Sequence, residues 1–152
     1  MFDVSRRGVK NGGNMSYKKI LTIQDISCFG QCSLTVALPI ISACGVETVI
    51  IPSAVLSTHT GGFTGFTFRD LTDDIPSIAA HWKKEGIDFD AIYTGYLGSV
   101  RQMEMIKDIF NNLSRESCVK IVDPAMADHG KLYPAFDDAF VNCLLNGSSC
   151  PF

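Results

Sequence analysis

Short apolar runs alternate with amphipathic stretches along the chain, and several of the runs are rich in β-branched residues. Such runs of four to eight residues, bounded by turn residues, are typical of buried strands. The predicted strands are Lys19–Gln24, Glu47–Pro52, Asp90–Tyr93 and Val119–Val122.

Helices are predicted between these strands. Ser33–Cys44 is apolar at most positions and is followed by Gly45, which predicts a buried helix with a glycine just past its end. Thr72–Glu85 has Pro76 in its first turn and one apolar side, as an amphipathic helix does. Ser99 is the predicted N-cap of the next helix. The apolar face of that helix is predicted to comprise Met103, Ile106, Ile109, Phe110 and Leu113.

The alternation of strands and helices predicts an α/β fold with three αβα layers and a mostly parallel sheet. Residues 1–17 are rich in Gly and Asn and are expected to form a flexible lead, residues 18–145 the domain, and residues 146–152 an irregular tail. After Lys131 the pattern weakens to one predicted helix, Pro134–Leu145. A sheet of four strands is small, so we expect an incomplete domain with an exposed edge.

Composition narrows the class of protein. The chain has 152 residues, 46% of them hydrophobic, which favours one globular domain over disorder. A net charge of -3 without a basic stripe argues against a nucleic-acid binder. No apolar run is long enough to cross a membrane, and no signal-peptide pattern opens the chain, so a cytoplasmic protein is expected.

Six cysteines are present, but their spacing supports neither zinc binding nor a disulfide framework. Cys28 and Cys32 are separated by three residues, and the sequence contains no C-x-x-C pair. Reduced thiols are therefore expected in a cytoplasmic protein.

Three loops that follow strands carry candidate chemistry. Asp25 follows the first strand, where its carboxylate can accept a hydrogen bond from a ligand. The second loop, residues 53–66, combines hydroxyl groups with His59, Thr60 and mobile glycines, although a lone histidine there is more often structural. The third loop offers Tyr96 either as an aromatic wall or as a core side chain. No G-x-G-x-x-G or G-x-x-x-x-G-K-[ST] motif is present, which argues against dinucleotide and Walker-type sites.

Two carboxylates, Asp123 and Asp128, follow the fourth strand. Pro124 prevents that strand from continuing, and ligands of open parallel sheets bind beyond the carboxyl ends of strands. The two acids can hold Mg²⁺ against phosphate oxygens, or they can be a turn cap and a solvated side chain.

Four segments together resemble the pyridoxal/pyridoxamine kinase family of the ribokinase-like superfamily. The segments are ILTIQDISCFGQCSLTVALPIISACG, SAVLSTHTGG, YTGYLGS and IVDPAMADHGKLY. They run in order from about Lys19 to Tyr133 and cover only the N-terminal part of such a kinase.

The resemblance implies transfer of the ATP γ-phosphate to the 5′-hydroxyl of a B6 vitamer, with Mg²⁺, often a monovalent cation such as K⁺, and a homodimer. By this resemblance, the residues that bind the vitamer are Asp25, Thr60, Tyr96 and Tyr133, with His59 next to Thr60. Asp25 departs from the family, whose members often have serine there.

By the same resemblance, Asp123 and Asp128 hold phosphates and cations. The family's catalytic base lies in a G-x-G-D segment, which these 152 residues lack, so no catalytic residue is assigned. A truncated chain that is inactive alone is therefore expected.

Three alternatives to that kinase interpretation stay open. One is a non-catalytic binder of a small ligand, the second is a related hydroxymethylpyrimidine kinase, and the third is a marginally stable fragment that aggregates through its open edge.

Overall fold

The computed structural model describes residues 17–128, 130–133 and 136–146, with the backbone alone for residue 128 and residues 143–146. The predicted lead and tail therefore lie almost entirely outside the described residues, as does Pro134. The division of the chain into lead, domain and tail stays a prediction.

The elements alternate as the apolar pattern predicts. The strands are β1 (Lys19–Ser27), β2 (Glu47–Leu56), β3 (Phe68–Asp70), β4 (Phe89–Thr94), β5 (Ser114–Val122), β6 (Ala127–Asp128) and β7 (Lys131–Leu132). The helices are α1 (Leu34–Ala43), α2 (Ile75–Lys84, preceded by a 3-10 turn at Thr72–Asp74), α3 (Val100–Asn112) and α4 (Asp138–Asn146).

In the part of the chain that the structure describes, the main sheet has five strands in the order β3-β2-β1-β4-β5, not the predicted four. The four predicted strands are parallel to one another, and β3 adds an antiparallel edge beside β2. The fold class is thus confirmed as an α/β protein with a mostly parallel sheet. β3 was missed because it is only three residues long and all three are exposed, so no apolar run marks it.

The first strand is three residues longer than predicted, because β1 and β2 both continue past the polar residues that suggested a loop. Pairing of Ile26 with Val55 and of Ser27 with Leu56 follows a register shift after Gln24. Such an irregularity re-aims side chains at the end of a strand. Asp25 consequently lies inside β1 and not in a loop.

The strand order reverses direction at β1. The chain passes from β1 to its neighbour β2 on one side and later to β4 on the other. Since crossovers between parallel strands are right-handed, α1 lies on one face of the sheet and α2 and α3 on the other, which gives the predicted three layers. The point between β1 and β4 is where open sheets of this kind bind ligands.

The core fills the face that carries α2 and α3. Leu21 and Ile23 of β1 and Ile92 of β4 pack there and are fully buried. The predicted face of α3 is confirmed, since its five apolar residues are all buried. Ser99 is confirmed as its N-cap, because its hydroxyl accepts a hydrogen bond from Gln102 N at 3.2 Å.

The expectation of a buried α1 is wrong. Leu34 is its one buried residue, and Ile40 is 59% exposed. Hydrophobic content showed which side chains are apolar but not whether another element covers them. Ser33 precedes α1 without a side-chain capping bond, and its φ of 48° lies in the left-handed region.

Charged groups join three parts of the chain at the amino-terminal end of the sheet. Arg115 of β5 bonds Asp88 at 2.8 Å and Asp90 at 2.9 Å. Asp90 also accepts from Lys18 Nζ at 3.0 Å and from Lys19 N at 2.9 Å. This cluster ties β1, β4 and β5 together at the end opposite to the candidate site.

Four cysteines of the described part, Cys28, Cys32, Cys44 and Cys118, are free thiols. The other two, Cys143 and Cys150, lie where the structure describes no side chain. No helix in the described part of the chain is long and apolar enough to cross a membrane.

Candidate functional site

The carboxyl ends of β1 and β4 meet at the point where the strand order reverses. Gly95 N, just after β4, donates to Ile23 O at 3.1 Å and so continues the contact between the two strands. A Cβ on Gly95 would lie 2.9 Å from Cδ of Gln24, so a larger residue at this position would force the buried Gln24 side chain to move. Asp25 and Tyr96 follow directly on these two segments.

Asp25 is a buried acid, 7% exposed, at the ligand edge of the sheet. Its Oδ2 accepts a hydrogen bond from Ser27 Oγ at 3.3 Å, and Ser27 in turn accepts from Cys32 Sγ at 3.3 Å. A charge placed in the interior is costly unless polar partners compensate it. The single bond from the Ser27 hydroxyl compensates the charge of Asp25 only in part. Asp25 is therefore suited to bind a cationic group, or a strong hydrogen-bond donor, of a ligand.

Tyr96 lies close to Asp25. Burial raises the pKa of the Tyr96 phenol, and the negative charge of Asp25 raises it further. The ring of Tyr96 lies 6.2 Å from that of Tyr133 and 5.3 Å from that of Phe136. Phe136 stacks on Phe140 at 4.0 Å, which anchors this aromatic group in the core. Tyr96 therefore both packs against the core and borders the site, so the two interpretations of this residue are compatible.

His59 joins the loop after β2 to the loop after β1. Its backbone N donates to Phe29 O at 3.1 Å, and its ring occupies the space where a Cβ of Gly30 would lie, 2.0 Å from Cδ2. Nδ1 accepts from Gly61 N at 3.2 Å, which leaves the proton of the neutral ring on Nε2. Phe63 packs edge-on against His59 at 5.0 Å. The observed contacts of His59 are those of a loop organiser.

Thr60 is exposed, and in the described part of the chain no hydrogen bond joins it to Asp25 or Tyr96. Its neighbour Thr58 has a buried hydroxyl without a partner in that part. The predicted role of Thr60 as a vitamer contact stays a prediction.

Asp123 lies at the carboxyl end of β5, beside the loop that follows β4. Its backbone N donates to Thr94 O at 2.9 Å, and its side chain is exposed. Asp123, Gly95 and Leu97 line a shallow depression. Burial raises the pKa of the nearby Tyr93 phenol, and the charge of Asp123 adds to the effect. An exposed carboxylate next to a glycine loop suits a hydrated cation bound to phosphate.

Asp128 lies in β6, where it pairs with Lys131 of β7. Its side chain is not among those described, so the predicted pairing of Asp123 with Asp128 stays a prediction. Among the described side chains, no group of three or more His, Cys, Asp or Glu residues is placed to hold a metal.

The structure thus places Asp25 within electrostatic range of Tyr96, whose ring lies 6.2 Å from that of Tyr133, and sets Asp123 beside the Tyr96 loop. Sequence reasoning missed Ser27 as the partner of Asp25, because the extent of β1 was misjudged. It also missed Phe136, for which only its nearness to Tyr133 in sequence could have been a signal.

A scan against models of protein families finds no match. A Bacteroides thetaiotaomicron protein assigned as a phosphomethylpyrimidine kinase is 43% identical, with a TM-score of 0.80 over 87% of this chain and 46% of that one. A second crystal form of that protein contains pyridoxal.

Pyridoxal kinase from Lactobacillus plantarum is 33% identical, with a TM-score of 0.77 over 83% of this chain and 45% of that one. The pyridoxal kinase of Arabidopsis thaliana is 29% identical over 121 residues, which are 76% of this chain and 38% of that protein. The chain therefore spans less than half the length of the proteins it matches.

In fold, the chain is similar to the ribokinase-like small-molecule kinases. More particularly, the resemblance to pyridoxal kinases predicted from the four sequence segments is confirmed by both the curated relatives and the solved structures.

Proposed function

We propose that this chain forms the vitamer-binding part of a pyridoxal kinase, an enzyme that transfers the γ-phosphate of ATP to the 5′-hydroxyl of pyridoxal, pyridoxine or pyridoxamine. The observation that carries the proposal is the buried carboxylate of Asp25 beside Tyr96 at the reversal of strand order. There Asp25 accepts a hydrogen bond from the protonated ring nitrogen or an amine, and Tyr96 with Tyr133 covers the ring. Thr60 and His59 border the same ligand from the glycine-rich loop.

Asp123, with Asp128, is proposed to hold Mg²⁺ and a monovalent cation against the phosphates of ATP. These cations neutralise charge on the transferred phosphate when they are bound. The support is the position of Asp123, exposed at the carboxyl end of β5 and adjacent to the loop of Tyr96.

Binding of the vitamer is tested by calorimetry with pyridoxal in the absence of nucleotide. Saturable binding at one site per chain is expected. Asp25→Asn removes the charge and should weaken binding about 10-fold to 100-fold, the worth of a charge-assisted hydrogen bond. Asp108→Asn changes an exposed acid of α3 and is the matched control. Equal affinity of wild type and Asp25→Asn would count against the proposed role of Asp25.

Catalysis is expected to fail in the isolated 152-residue chain, because no G-x-G-D segment is present to supply the base. Loss of a general base alone costs about 10²-fold to 10⁴-fold in rate. Release of ADP that depends on pyridoxal, at more than a trace rate, would overturn this expectation. The homodimer implied by the resemblance and the cytoplasmic location expected from the sequence are further proposals.

A related hydroxymethylpyrimidine kinase is the second candidate, favoured by the 43% identity to the Bacteroides protein assigned as a phosphomethylpyrimidine kinase. Competition between pyridoxal and hydroxymethylpyrimidine for the chain separates the two. Displacement of pyridoxal only at large excess of the pyrimidine supports the first proposal. If the chain binds pyridoxal but a chain extended by the C-terminal half of a relative shows no turnover, the non-catalytic binder is favoured instead.

A further inference from the structure

Gln102 is a polar side chain buried near the start of α3, where it is 4% exposed. A buried amide needs hydrogen-bond partners, and both ends of this one are satisfied. Its Oε1 accepts from Gly98 N at 2.7 Å, and its Nε2 donates to Thr72 Oγ1 at 2.7 Å. Because Gly98 N can only donate, the amide has one possible orientation.

The first of these bonds fixes the loop that carries Tyr96. Gly98 is close to that ring, since a Cβ built on it would lie 3.8 Å from the Tyr96 hydroxyl oxygen. The bond from Gly98 N to Gln102 therefore holds the backbone that follows Tyr96 against the first turn of α3.

The second bond connects Gln102 to Thr72, which lies two residues after the end of β3. Thr72 donates to Asp70 Oδ1 through its hydroxyl at 2.5 Å and through its backbone N at 2.8 Å. Asp70 is ionised at neutral pH like an ordinary aspartate and can only accept, and these two bonds lower its pKa further. Asp70 ends β3, the strand that follows the loop of His59 and Thr60.

We propose that Gln102 is a positioning residue that sets the Tyr96 loop in a fixed relation to β3 and so to the base of the loop of His59 and Thr60. Its role in ligand binding rests on the proposed function, whereas the mechanical link does not. Gln102 has no ligand contact in this role, and it acts through Gly98 on one side and Thr72 on the other.

Substitutions at Thr72 test the link, because Thr72 is proposed to affect the Tyr96 loop only through Gln102. Thr72→Val removes the hydroxyl with little change of shape, and Thr72→Ser restores it. Thr72→Val should accelerate hydrogen exchange of the Gly98 amide and raise the Kd for pyridoxal about tenfold, the worth of one buried hydrogen bond. Thr72→Ser should match wild type in both measurements.

Stability is controlled with Ile109→Val, which removes one buried methyl group from the same helix about two turns after Gln102 and leaves the hydrogen bonds of Gln102 in place. If Thr72→Val and Ile109→Val lower the Tm similarly and raise the Kd by the same factor, Gln102 has only a structural role and the proposal is overturned. In a Gln102→Leu background, Thr72→Val should raise the Kd no further. An additive effect would also overturn the proposal.

Failure of the proposed function can be distinguished from failure of the positioning role of Gln102. If the wild-type chain binds no pyridoxal, the vitamer site is refuted, and hydrogen exchange of the Gly98 amide still decides the link. Exchange at Gly98 that is the same in wild type and Thr72→Val overturns the positioning role whatever the ligand.

Discussion

The phenol of Tyr96, on the loop after β4, has a raised pKa because it is buried and because the carboxylate of Asp25 on β1 lies near it. Asp25 lies near the carboxyl end of β1 and Tyr96 just past the carboxyl end of β4, the parallel neighbour of β1, where the strand order reverses. Burial and a nearby negative charge both disfavour the tyrosinate, so the phenol stays neutral to a higher pH than an exposed tyrosine does. The pair thus offers a ligand one acceptor and one aromatic face.

Asp25→Asn should lower the pKa of Tyr96 toward its ordinary value, because it removes the nearby charge and leaves the burial. The measurement is ultraviolet absorbance of the tyrosinate as pH rises, with Tyr96→Phe identifying the contribution of Tyr96. Titration is confined to the pH range in which the far-ultraviolet circular dichroism is native. An unchanged Tyr96 titration in Asp25→Asn would show that the two groups do not interact.

Gly30→Ala should disorder the loop that carries His59. The added Cβ would lie 2.0 Å from Cδ2 of His59, and Gly30 has a φ of 90°, which disfavours other residues. Overpacking of this kind costs about 1–3 kcal/mol in free energy of unfolding. Urea unfolding measures the loss.

Gly62→Ala is the matched control, since Gly62 has a φ of 82° with nothing within 4 Å of the added Cβ. Gly62→Ala therefore introduces the backbone strain of a positive φ without a steric clash. Gly30→Ala should therefore be the more destabilising of the two, and His59→Ala in the Gly30→Ala background should recover the difference. Equal effects of the two glycine substitutions would refute the contact with His59.

The sequence predicted the parts of this fold that depend on local pattern. The apolar face of α3 and the cap at Ser99 follow from helical spacing and from the hydrogen-bonding capacity of serine. The meeting of Asp25 with Tyr96 follows from parallel strands that end at one edge. These predictions did not require knowledge of how the helices and strands pack against one another.

Features that depend on neighbours could not be predicted in the same way. The bulge that brings Asp25 into β1 arises from pairing with β2, and the exposure of α1 depends on what packs over it. In the sequence Gln102 is an ordinary polar residue of a helix, and only the fold places it between Gly98 and Thr72. The packing of the His59 ring into the space that Gly30 leaves could not be predicted either, because it joins two loops that are distant in sequence, and the ligand contact of His59 stays a prediction.

Lowering the pH should destabilise the fold, because Asp90 becomes protonated. A hydrogen bond from Lys19 N, with further bonds from Lys18 and Arg115, lowers the pKa of Asp90 from 3.8 to about 2. Because the folded pKa is the lower one, ionised Asp90 stabilises the fold. That contribution is complete above a pH of about 4 and is lost as pH falls through about 2.

The test compares wild type with Asp90→Asn by urea unfolding between pH 6 and pH 2, a span of about four units chosen to cover both pKa values. At pH 6 Asp90→Asn should be less stable by about 1–3 kcal/mol, the worth of hydrogen bonds to a charged group. The difference should shrink as pH falls. Asp73→Asn is the control, because its bond to Arg101 is on the surface with side chains 84% and 61% exposed. A constant difference at all pH values would contradict the role of the charge.

The outer edge of β5 should drive self-association. Within the described residues β5 is the last strand of the main sheet and pairs only with β4. Val119 and Ile121 project from the same face of β5, with 57% and 47% of their surface exposed. An uncovered apolar edge strand is a template for pairing with another chain. Replacing both residues by lysine should lower the mass-average molecular weight at high concentration, as measured by sedimentation equilibrium.

The matched control places lysine at an exposed apolar residue that is not on the edge strand. Ile40 of α1 is 59% exposed, so Ile40→Lys removes a similar apolar surface and adds the same kind of charge. If the edge is responsible, the β5 double variant remains monomeric at concentrations where Ile40→Lys still associates. Equal suppression by the two variants would mean that net charge, and not the edge of β5, controls association. Suppression by Ile40→Lys alone would locate the contact on α1.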